Sequence, residues 1–298
     1  MLRKIVLLLG GTLTMASAEG AKVILLGTGT PIPDPASSGP CVAVVVNNQA
    51  YLFDAGAGVV RRAEAAAEKF GIAALDATNL SRLFFTHLHS DHTLGYPDVM
   101  LTPWVVGRRV PLEVYGPEGL AAMTENLKKS YAEDIKVRTE GLEHLSRQNL
   151  AVNVHEISAG LVYRDSNVTV RAIPVPHGSW RQAFGYAIDA GGRSIVISGD
   201  TSRSESIVEA CHGCDVLVHE VYSADRFDAV YGRTAGQYHT AFHTSTRELA
   251  EMASKSKPKL LVLYHQLYFG RYEGVDLEKE IRRFYSGNVV NGRDLTMY

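Results

Sequence analysis

Short apolar runs, separated by polar and glycine-containing segments, recur along the chain from residue 22 to residue 264. Apolar runs of about four to eight residues that are rich in Val and Ile are typical of buried strands. The pattern predicts ten strands, at 22–26, 41–46, 50–53, 82–85, 112–115, 168–175, 184–188, 194–198, 216–218 and 260–264. Gly191-Gly192 predicts a tight hairpin turn between two of them.

Helical periodicity appears in three segments that lie between these strands. Residues 59–70 are rich in Ala, 119–131 places Leu120, Met123 and Leu127 on one side, and 245–253 leads toward Pro258. Apolar residues three or four apart form one face of a helix. Strands with helices interspersed predict a layered α/β domain.

Polar side chains of the same kinds follow five of the predicted strands. They are His87 with His89, His177, Asp200, His219 with Glu220, and His265. Loops at strand ends are where a rigid scaffold places chemistry, because the strands fix the positions while the loops stay accessible. Any one of these histidines alone is typical of an ordinary surface residue. Together they predict a shared site.

The most concentrated of these groups is the run His87-Leu88-His89-Ser90-Asp91-His92. Three imidazoles and a carboxylate within six residues suit two adjacent metal ions. His87 and His89 can share one ion, while Asp91 and His92 turn toward the second. Imidazole nitrogens mixed with carboxylate oxygens suit zinc best, with manganese or iron as alternatives.

This run, together with His177, Ser198-Gly199-Asp200-Thr201 and His265, resembles the ligand set of the metallo-β-lactamase superfamily. The resemblance implies a four-layer αβ/βα sandwich with its metals at the open edge of two mixed sheets. It also implies two zinc ions and a bridging hydroxide as the nucleophile. The implied ligands are His87, His89 and His177 for one ion, Asp91, His92 and His265 for the other, and Asp200 for both.

Four further segments are similar to the tRNase Z and secreted arylsulfatase-like branch of that superfamily: 25–31, 52–56, His219-Glu220 and His243-Thr244-Ser245. The resemblance implies that Asp91, His243 and Glu220 are catalytic, with His243 as the proton donor and Glu220 as its partner. The alternative is that His243 caps the helix that follows. Asp54 is expected to orient ligand histidines from outside the metal shell. Trp180 is predicted to form a pocket lip.

Residues 1–18 have the composition of an export signal, with Arg3 and Lys4 before an apolar core and Ala16-Ser17-Ala18 as a cleavage site. The core is too short to cross a bilayer. We therefore predict a signal peptide at 1–18, one hydrolase domain at 19–298, and a periplasmic or secreted location. Cleavage removes two of 30 basic residues and none of 32 acidic ones, which takes the net charge from −2 to −4.

These features predict an exported hydrolase of small phosphate or sulfate esters. A metal-bridging Asp200 argues against a dedicated β-lactamase. Only 22 residues separate His177 from Asp200, too few for the tRNA-gripping arm that the tRNase Z resemblance implies there. Arg108-Arg109 fits the arylsulfatase-like relatives. Ribonuclease Z-type 3′-tRNA processing, a promiscuous β-lactamase and a metal-binding domain without turnover remain as alternatives; nucleic acid is a less favoured partner, and a homodimer is left open.

The three cysteines add little to this picture. Cys211-His212-Gly213-Cys214 has C-x-x-C spacing, but no second ligand pair of a zinc ribbon accompanies it. We therefore expect structural thiols, either free or joined in a disulfide.

Overall fold

The computed structural model describes residues 20–231, 236–270 and 275–298. The predicted signal peptide lies outside these residues. The strands are Lys22–Gly27 (β1), Cys41–Val46 (β2), Gln49–Phe53 (β3), Arg82–Phe84 (β4), Leu112–Gly116 (β5), Val152–Glu156 (β6), Gly160–Arg164 (β7), Val168–Pro174 (β8), Phe184–Ala190 (β9), Arg193–Ile197 (β10), Val216–Tyr222 (β11), Leu261–Leu267 (β12), Val289–Asn291 (β13) and Thr296–Met297 (β14).

The helices lie between and after these strands. They are Val59–Phe70 (α1), Ser90–Thr93 (α2), Tyr96–Val105 (α3), Leu120–Ser130 (α4), Ala132–Glu140 (α5), Glu205–Cys211 (α6), Ala224–Tyr231 (α7), Gln237–Phe242 (α8), Thr246–Ser256 (α9) and Leu277–Arg282 (α10). Every predicted strand and helix is present, with ends that differ by a few residues. Among the described residues, no helix has both the length and the apolar character needed to cross a membrane.

The strands form two seven-stranded sheets in the orders β14-β1-β2-β3-β4-β5-β6 and β13-β12-β11-β10-β9-β8-β7. In the first sheet, β14 to β3 are antiparallel and β3 to β6 are parallel. The second sheet has antiparallel pairs from β7 to β10 and parallel pairs from β10 to β13. Both sheets are therefore mixed, as the resemblance implied.

The apolar core has three main layers of contact. Val23 and Leu25 of β1 pack between the two sheets, whereas Ile24 and Leu26 pack against α1 and α3 on the outside of the first sheet. A third cluster joins the second sheet to α6, α9 and α10. Strands covered on both faces carry continuous apolar runs, and this is why the hydrophobic pattern of the sequence predicts these strands. The four-layer αβ/βα sandwich is confirmed.

Arg108, which the sequence offers as a point of similarity to the arylsulfatase-like relatives, serves the fold. Its side chain is fully buried and donates to the carbonyls of Val99 at 2.9 Å and Met100 at 3.1 Å. Pro103 lies inside α3 and has no N–H to give to the Val99 carbonyl four residues earlier. The guanidinium therefore satisfies the Val99 carbonyl that proline leaves without a helical donor, and burial lowers the pKa of Arg108 to about 10.

A disulfide joins Cys211 at the end of α6 to Cys214. Both residues are buried beneath α9, and Gly213 donates its backbone N–H to the carbonyl of Ser256 at 2.7 Å. The bond closes the turn between α6 and β11. It therefore has a structural position, as the sequence indicated.

Candidate metal centre

Polar residues from six strands meet at one open edge of the two sheets. The segment after β4 carries His87 and His89, and α2 carries Asp91 and His92. His177 follows β8 and Asp200 follows β10, while Asp54 follows β3. β11 carries His219 and Glu220, and β12 carries His265. The predicted convergence of strand ends is thus present.

His219-Glu220 and His265 lie within strands, whereas the sequence pattern predicted that they follow the strand ends. β11 continues past Val218 to Tyr222, so His219 and Glu220 point to opposite faces of the sheet. In β12, Tyr264 pairs with Glu220 and Gln266 pairs with Val221, which leaves His265 unpaired as a bulge with φ 45°. A bulge redirects a side chain, and here it turns His265 toward the carboxylates of the centre.

The first group of potential ligand atoms consists of three imidazole nitrogens and one carboxylate. His89 Nδ1 lies 2.9 Å from His87 Nε2 and 3.1 Å from His177 Nε2. Asp200 completes the set, in which all four ligand atoms lie within 4.8 Å of one another. Such close nitrogens facing a common point are the arrangement of a metal shell.

Asp91, His92 and His265 form the second group. His265 Nε2 lies 3.1 Å from Asp91 Oδ2, and His92 Nε2 lies 3.6 Å from the same oxygen. Asp200 stands between the groups, with Oδ1 at 3.4 Å from His92 Nε2 and Oδ2 at 3.5 Å from His265 Nε2. One carboxylate therefore faces both sets of ligand atoms.

The donor set fits a divalent metal. His92 Nε2 and Asp200 Oδ1 are both buried and have no hydrogen-bond partner in the protein. Buried polar atoms without a partner are costly, and these two lie 3.4 Å apart, so a cation bound between them would satisfy both. Nitrogen and carboxylate oxygen ligands are those that divalent transition metals prefer.

The outer nitrogens of three histidines are held by hydrogen bonds. His92 Nδ1 donates to Asp54 Oδ2 at 2.8 Å, and His177 Nδ1 donates to the backbone carbonyl of Phe242 at 2.7 Å. His87 Nδ1 contacts the Thr86 hydroxyl at 2.9 Å, and that hydroxyl also contacts Asp54. These contacts leave Nε2 of each ring facing the centre.

Burial and charge set the protonation of these groups in opposite ways. Burial lowers the pKa of His87, and it lowers that of His177 to about 4, so both rings are neutral and present lone pairs. Burial also works to lower the pKa of His92, but the charges of Asp200 and Asp54 raise it overall. Although burial opposes it, the imidazoles of His265 and His92 hold the pKa of Asp200 well below its ordinary value.

His243 lies beside this cluster and faces a buried carboxylate. Its Nδ1 is 3.5 Å from Glu220 Oε2 and 3.8 Å from Asp200 Oδ2. Burial lowers the pKa of His243, but the charge of Glu220 outweighs it and raises the pKa. Glu220 is fixed by the backbone N–H of Thr244, at 2.7 Å from Oε1. The carboxylate therefore favours the protonated form of the imidazole.

The alternative role for His243, as the cap of the following helix, does not hold. Ser245 is the N-cap of α9, and its side chain and that of Glu248 form a reciprocal capping box. His243 instead ends α8. Its imidazole is left to face Glu220.

Trp180 lies at the mouth of the centre, half-buried. Its indole N–H donates to His89 Nε2 at 2.7 Å, on the side of the ring opposite His87 and His177. The indole therefore contacts a histidine of the first ligand group, and its role as a pocket lip stays a prediction. The aromatic ring of Phe242 also packs edge-on against His177, with centroids 4.9 Å apart.

Two participants carry little or no signal in the sequence. The Phe242 carbonyl is a backbone atom, so residue type does not mark it. Thr86 precedes the histidine run, and only its position hints at a role. Tyr238 stacks on Phe242 near the mouth. His219, by contrast, has a suitable residue type but lies outside both ligand groups, and its Nδ1 pairs with the carbonyl of Glu220.

A family model described as the beta-lactamase superfamily domain matches residues 49–266. The match spans most of the chain and includes every residue of the two ligand groups. The chain therefore belongs to the metallo-β-lactamase superfamily, and it is a metal-dependent hydrolase of ester bonds.

Two relatives that cover most of this chain share a more specific name. Ribonuclease Z from Mycobacterium bovis (strain BCG / Pasteur 1173P2) is 33% identical over 281 residues, which cover 92% of this chain and 96% of that protein. Ribonuclease Z from Mycolicibacterium gilvum (strain PYR-GCK) is 33% identical over 247 residues, covering 82% and 83%.

Solved structures share the fold at lower sequence identity. The short form of human tRNase Z matches with a TM-score of 0.67 at 22% identity and covers 93% of this chain and 98% of its own. The metallo-beta-lactamase fold protein YhfI from Bacillus subtilis matches with a TM-score of 0.71 at 18% identity, covering 94% and 99%.

The predicted preference for small phosphate or sulfate esters over RNA is wrong. The relatives that match over nine tenths of the chain are named ribonuclease Z. The prediction gave too much weight to the whole-chain charge, because contacts to a polyanion depend on the local arrangement of cations and of aromatic rings.

Proposed function

We propose that this chain is a ribonuclease Z-type phosphodiesterase that processes the 3′ end of precursor tRNA. The observation that carries the proposal is the 33% identity to a ribonuclease Z across 92% of the chain. The site supports the same chemistry, because the two ligand groups lie beside His243, whose pKa is raised by the Glu220 carboxylate 3.5 Å away although burial lowers it. Hydrolysis of a phosphodiester needs both charge stabilisation and a proton for the leaving oxygen.

We assign the two ligand groups to two metal ions, zinc being the best match to these donors. His87, His89 and His177 would hold one ion, and Asp91, His92 and His265 the other, with Asp200 shared. Such a pair, when bound, supplies positive charge that polarises the phosphodiester and lowers the pKa of a water.

The chain's own residues orient these ligands and move the proton. Asp54 and the Phe242 carbonyl fix the tautomers of His92 and His177. The Glu220 carboxylate, with Oε2 at 3.5 Å from His243 Nδ1, favours a proton on that side of the ring, so Nε2–H would be the proton donor for the leaving oxygen. Burial of the cluster keeps bulk water from competing for these hydrogen bonds.

RNA is held without a long arm between His177 and Asp200. The β9 and β10 hairpin occupies most of this stretch, and Gly191 and Gly192 at its turn both have positive φ. Substrate contacts must therefore come from other surfaces around the mouth.

The proposal is tested by comparing the efficiency of zinc-loaded protein on four substrates. These are a precursor tRNA with a 3′ trailer, an aryl phosphodiester, an aryl sulfate and a chromogenic β-lactam. We expect the highest kcat/KM on the precursor tRNA, with cleavage at one position. Highest efficiency on the sulfate or the lactam would overturn the proposal.

We propose separately that the chain is exported. The charge and apolar pattern of residues 1–18 supports this, as does the Cys211–Cys214 disulfide, since disulfides persist mainly in oxidising compartments. N-terminal sequencing of protein from fractionated cells tests it. A mature chain that begins at Glu19 in the periplasmic fraction would agree, and an intact N-terminus in the cytoplasm would contradict it. Cleavage of RNA by purified protein is independent of this result.

A further inference from the structure

Three nearly parallel rings lead from the metal centre to the solvent. The ring centroids of His89 and Phe242 are 6.1 Å apart with an angle of 24° between the planes. Those of Phe242 and Tyr238 are 4.3 Å apart with an angle of 22°. The outer ring, Tyr238, is 55% exposed. The stack therefore ends in a flat aromatic face at the mouth of the centre.

The inner part of this stack is fixed in place. The Phe242 carbonyl accepts the hydrogen bond of His177 Nδ1, which ties the backbone to the centre. Gly178 has φ 52°, and a Cβ there would collide with the Phe242 ring. Tyr238 lies one helical turn before Phe242 on α8, at the i, i+4 spacing that brings side chains together. The exposed ring thus rests on a rigid support.

Tyr238 also lies within electrostatic reach of the cluster. Partial burial and the charges of Asp200 and Asp91 raise its pKa above the ordinary value. The phenol is therefore neutral at physiological pH and adds no negative charge against a phosphate. Trp180 does not offer the same surface, because its N–H is bound to His89 and its ring stands edge-on at 84°.

We propose that Tyr238, supported by Phe242, is a stacking platform for the nucleobase next to the scissile phosphate. This proposal rests on the proposed function, since it requires a nucleic-acid substrate. Stacking on an aromatic face contributes to binding of single-stranded nucleic acid for any base. The platform supplies substrate contact on a chain that has no long arm between His177 and Asp200.

The test compares Tyr238→Leu with Tyr238→Phe, which keeps the flat ring. Each is assayed on an RNA with a 3′ trailer and on the same RNA with an abasic nucleotide on one or the other side of the cleavage position. Tyr238→Leu should raise KM by roughly five- to a hundredfold with little change in kcat, and Tyr238→Phe should not. Phe284→Leu is the matched control, because Phe284 is 56% exposed and follows α10 on the outer layer.

The abasic substrates locate the effect. At the nucleotide whose base stacks on Tyr238, removal of that base should weaken wild-type cleavage as much as Tyr238→Leu does. The two changes together should lower the cleavage efficiency no more than either change alone. Additive losses at both positions would overturn the platform. Melting temperature and zinc content of each variant exclude a loss of fold or metal as the cause.

Binding separates failure of the platform from failure of the proposed function. A phosphorothioate oligonucleotide with 2-aminopurine reports stacking without requiring rapid cleavage. If wild type quenches this probe and Tyr238→Leu does not, the platform holds even for a protein that cuts no tRNA. If Tyr238→Leu matches wild type in binding and in cleavage of tRNA, the platform is wrong and the proposed function stands.

Discussion

Replacing Asp54 with Asn tests whether residues outside the ligand groups set the metal affinity. Asp54 is buried with φ 63°, a conformation that Asn also tolerates, so the backbone is preserved. Asn keeps an oxygen for the Thr86 N–H, which lies 2.8 Å from Oδ1. It replaces the oxygen opposite His92 Nδ1 with an amide donor. The imidazole must then accept at Nδ1 and carry its proton on Nε2.

That proton lies where a metal would bind. His92 Nε2 faces Asp200 Oδ1 at 3.4 Å and Asp91 Oδ2 at 3.6 Å. A ring protonated on Nε2 offers no lone pair in this direction. Loss of such an outer hydrogen bond typically costs about 10- to 100-fold in metal affinity. We expect this loss from Asp54→Asn, with an unfolding free energy lowered by about 1–3 kcal/mol for the exchanged hydrogen bonds.

The assay is zinc competition against a chromogenic chelator, paired with thermal unfolding of each protein. Asp165→Asn is the matched control, since Asp165 accepts from Tyr51 and Tyr163 in a partly buried network that includes none of the ligand residues. It should change stability and leave zinc affinity within about twofold of wild type. Wild-type zinc affinity in Asp54→Asn, with the protein folded, would refute the tautomer argument.

Three further outcomes follow from the contacts described above. If zinc binds His89 through Nδ1, the ring proton would lie on Nε2 and face the Trp180 indole N–H. Zinc should therefore shift the fluorescence of Trp180, measured in Trp104→Phe, and unchanged emission would contradict this binding mode. His243→Gln should lower kcat on RNA by about 10²- to 10⁴-fold and affect an aryl phosphodiester with a good leaving group far less, whereas equal losses would argue against an acid. Burial raises the pKa of Asp165, but its hydrogen bonds outweigh burial and lower the pKa. Its contribution to the free energy of unfolding is therefore complete above the pKa of the unfolded state and is lost as pH falls through the pKa of the folded state. Chemical denaturation from pH 6 to pH 2 should show a smaller acid-induced loss in Asp165→Asn, and identical slopes would refute the assignment.

Much of the fold was predictable because its central strands are covered on both faces. β2, with the sequence CVAVVV, is buried at every position and gives an unbroken apolar run. β6 and β7 were missed for the opposite reason, since most of their side chains are partly or fully exposed. β14 has two residues, too few for any pattern. The hydrophobic pattern therefore predicted the inner strands of each sheet and missed the strands at the sheet edges.

The residues of the centre were predictable by type, but their geometry was not. His219 and His265 both follow apolar runs, yet only His265 enters a ligand group. Strand alternation turns His219 away from Glu220, and a bulge turns His265 inward. Neither the bulge nor the carbonyl of Phe242 has a marker in residue type, because both are properties of the backbone.

The most direct test of the account is the single-turnover cleavage of a precursor tRNA by zinc-loaded protein and by Asp200→Ala. Asp200 faces both ligand groups, so its removal should disable the whole centre. The account predicts cleavage at one position near the 3′ end by the wild type, and none above background by the variant. Equal cleavage by Asp200→Ala, or an intact precursor tRNA with folded, zinc-loaded wild type, would contradict it.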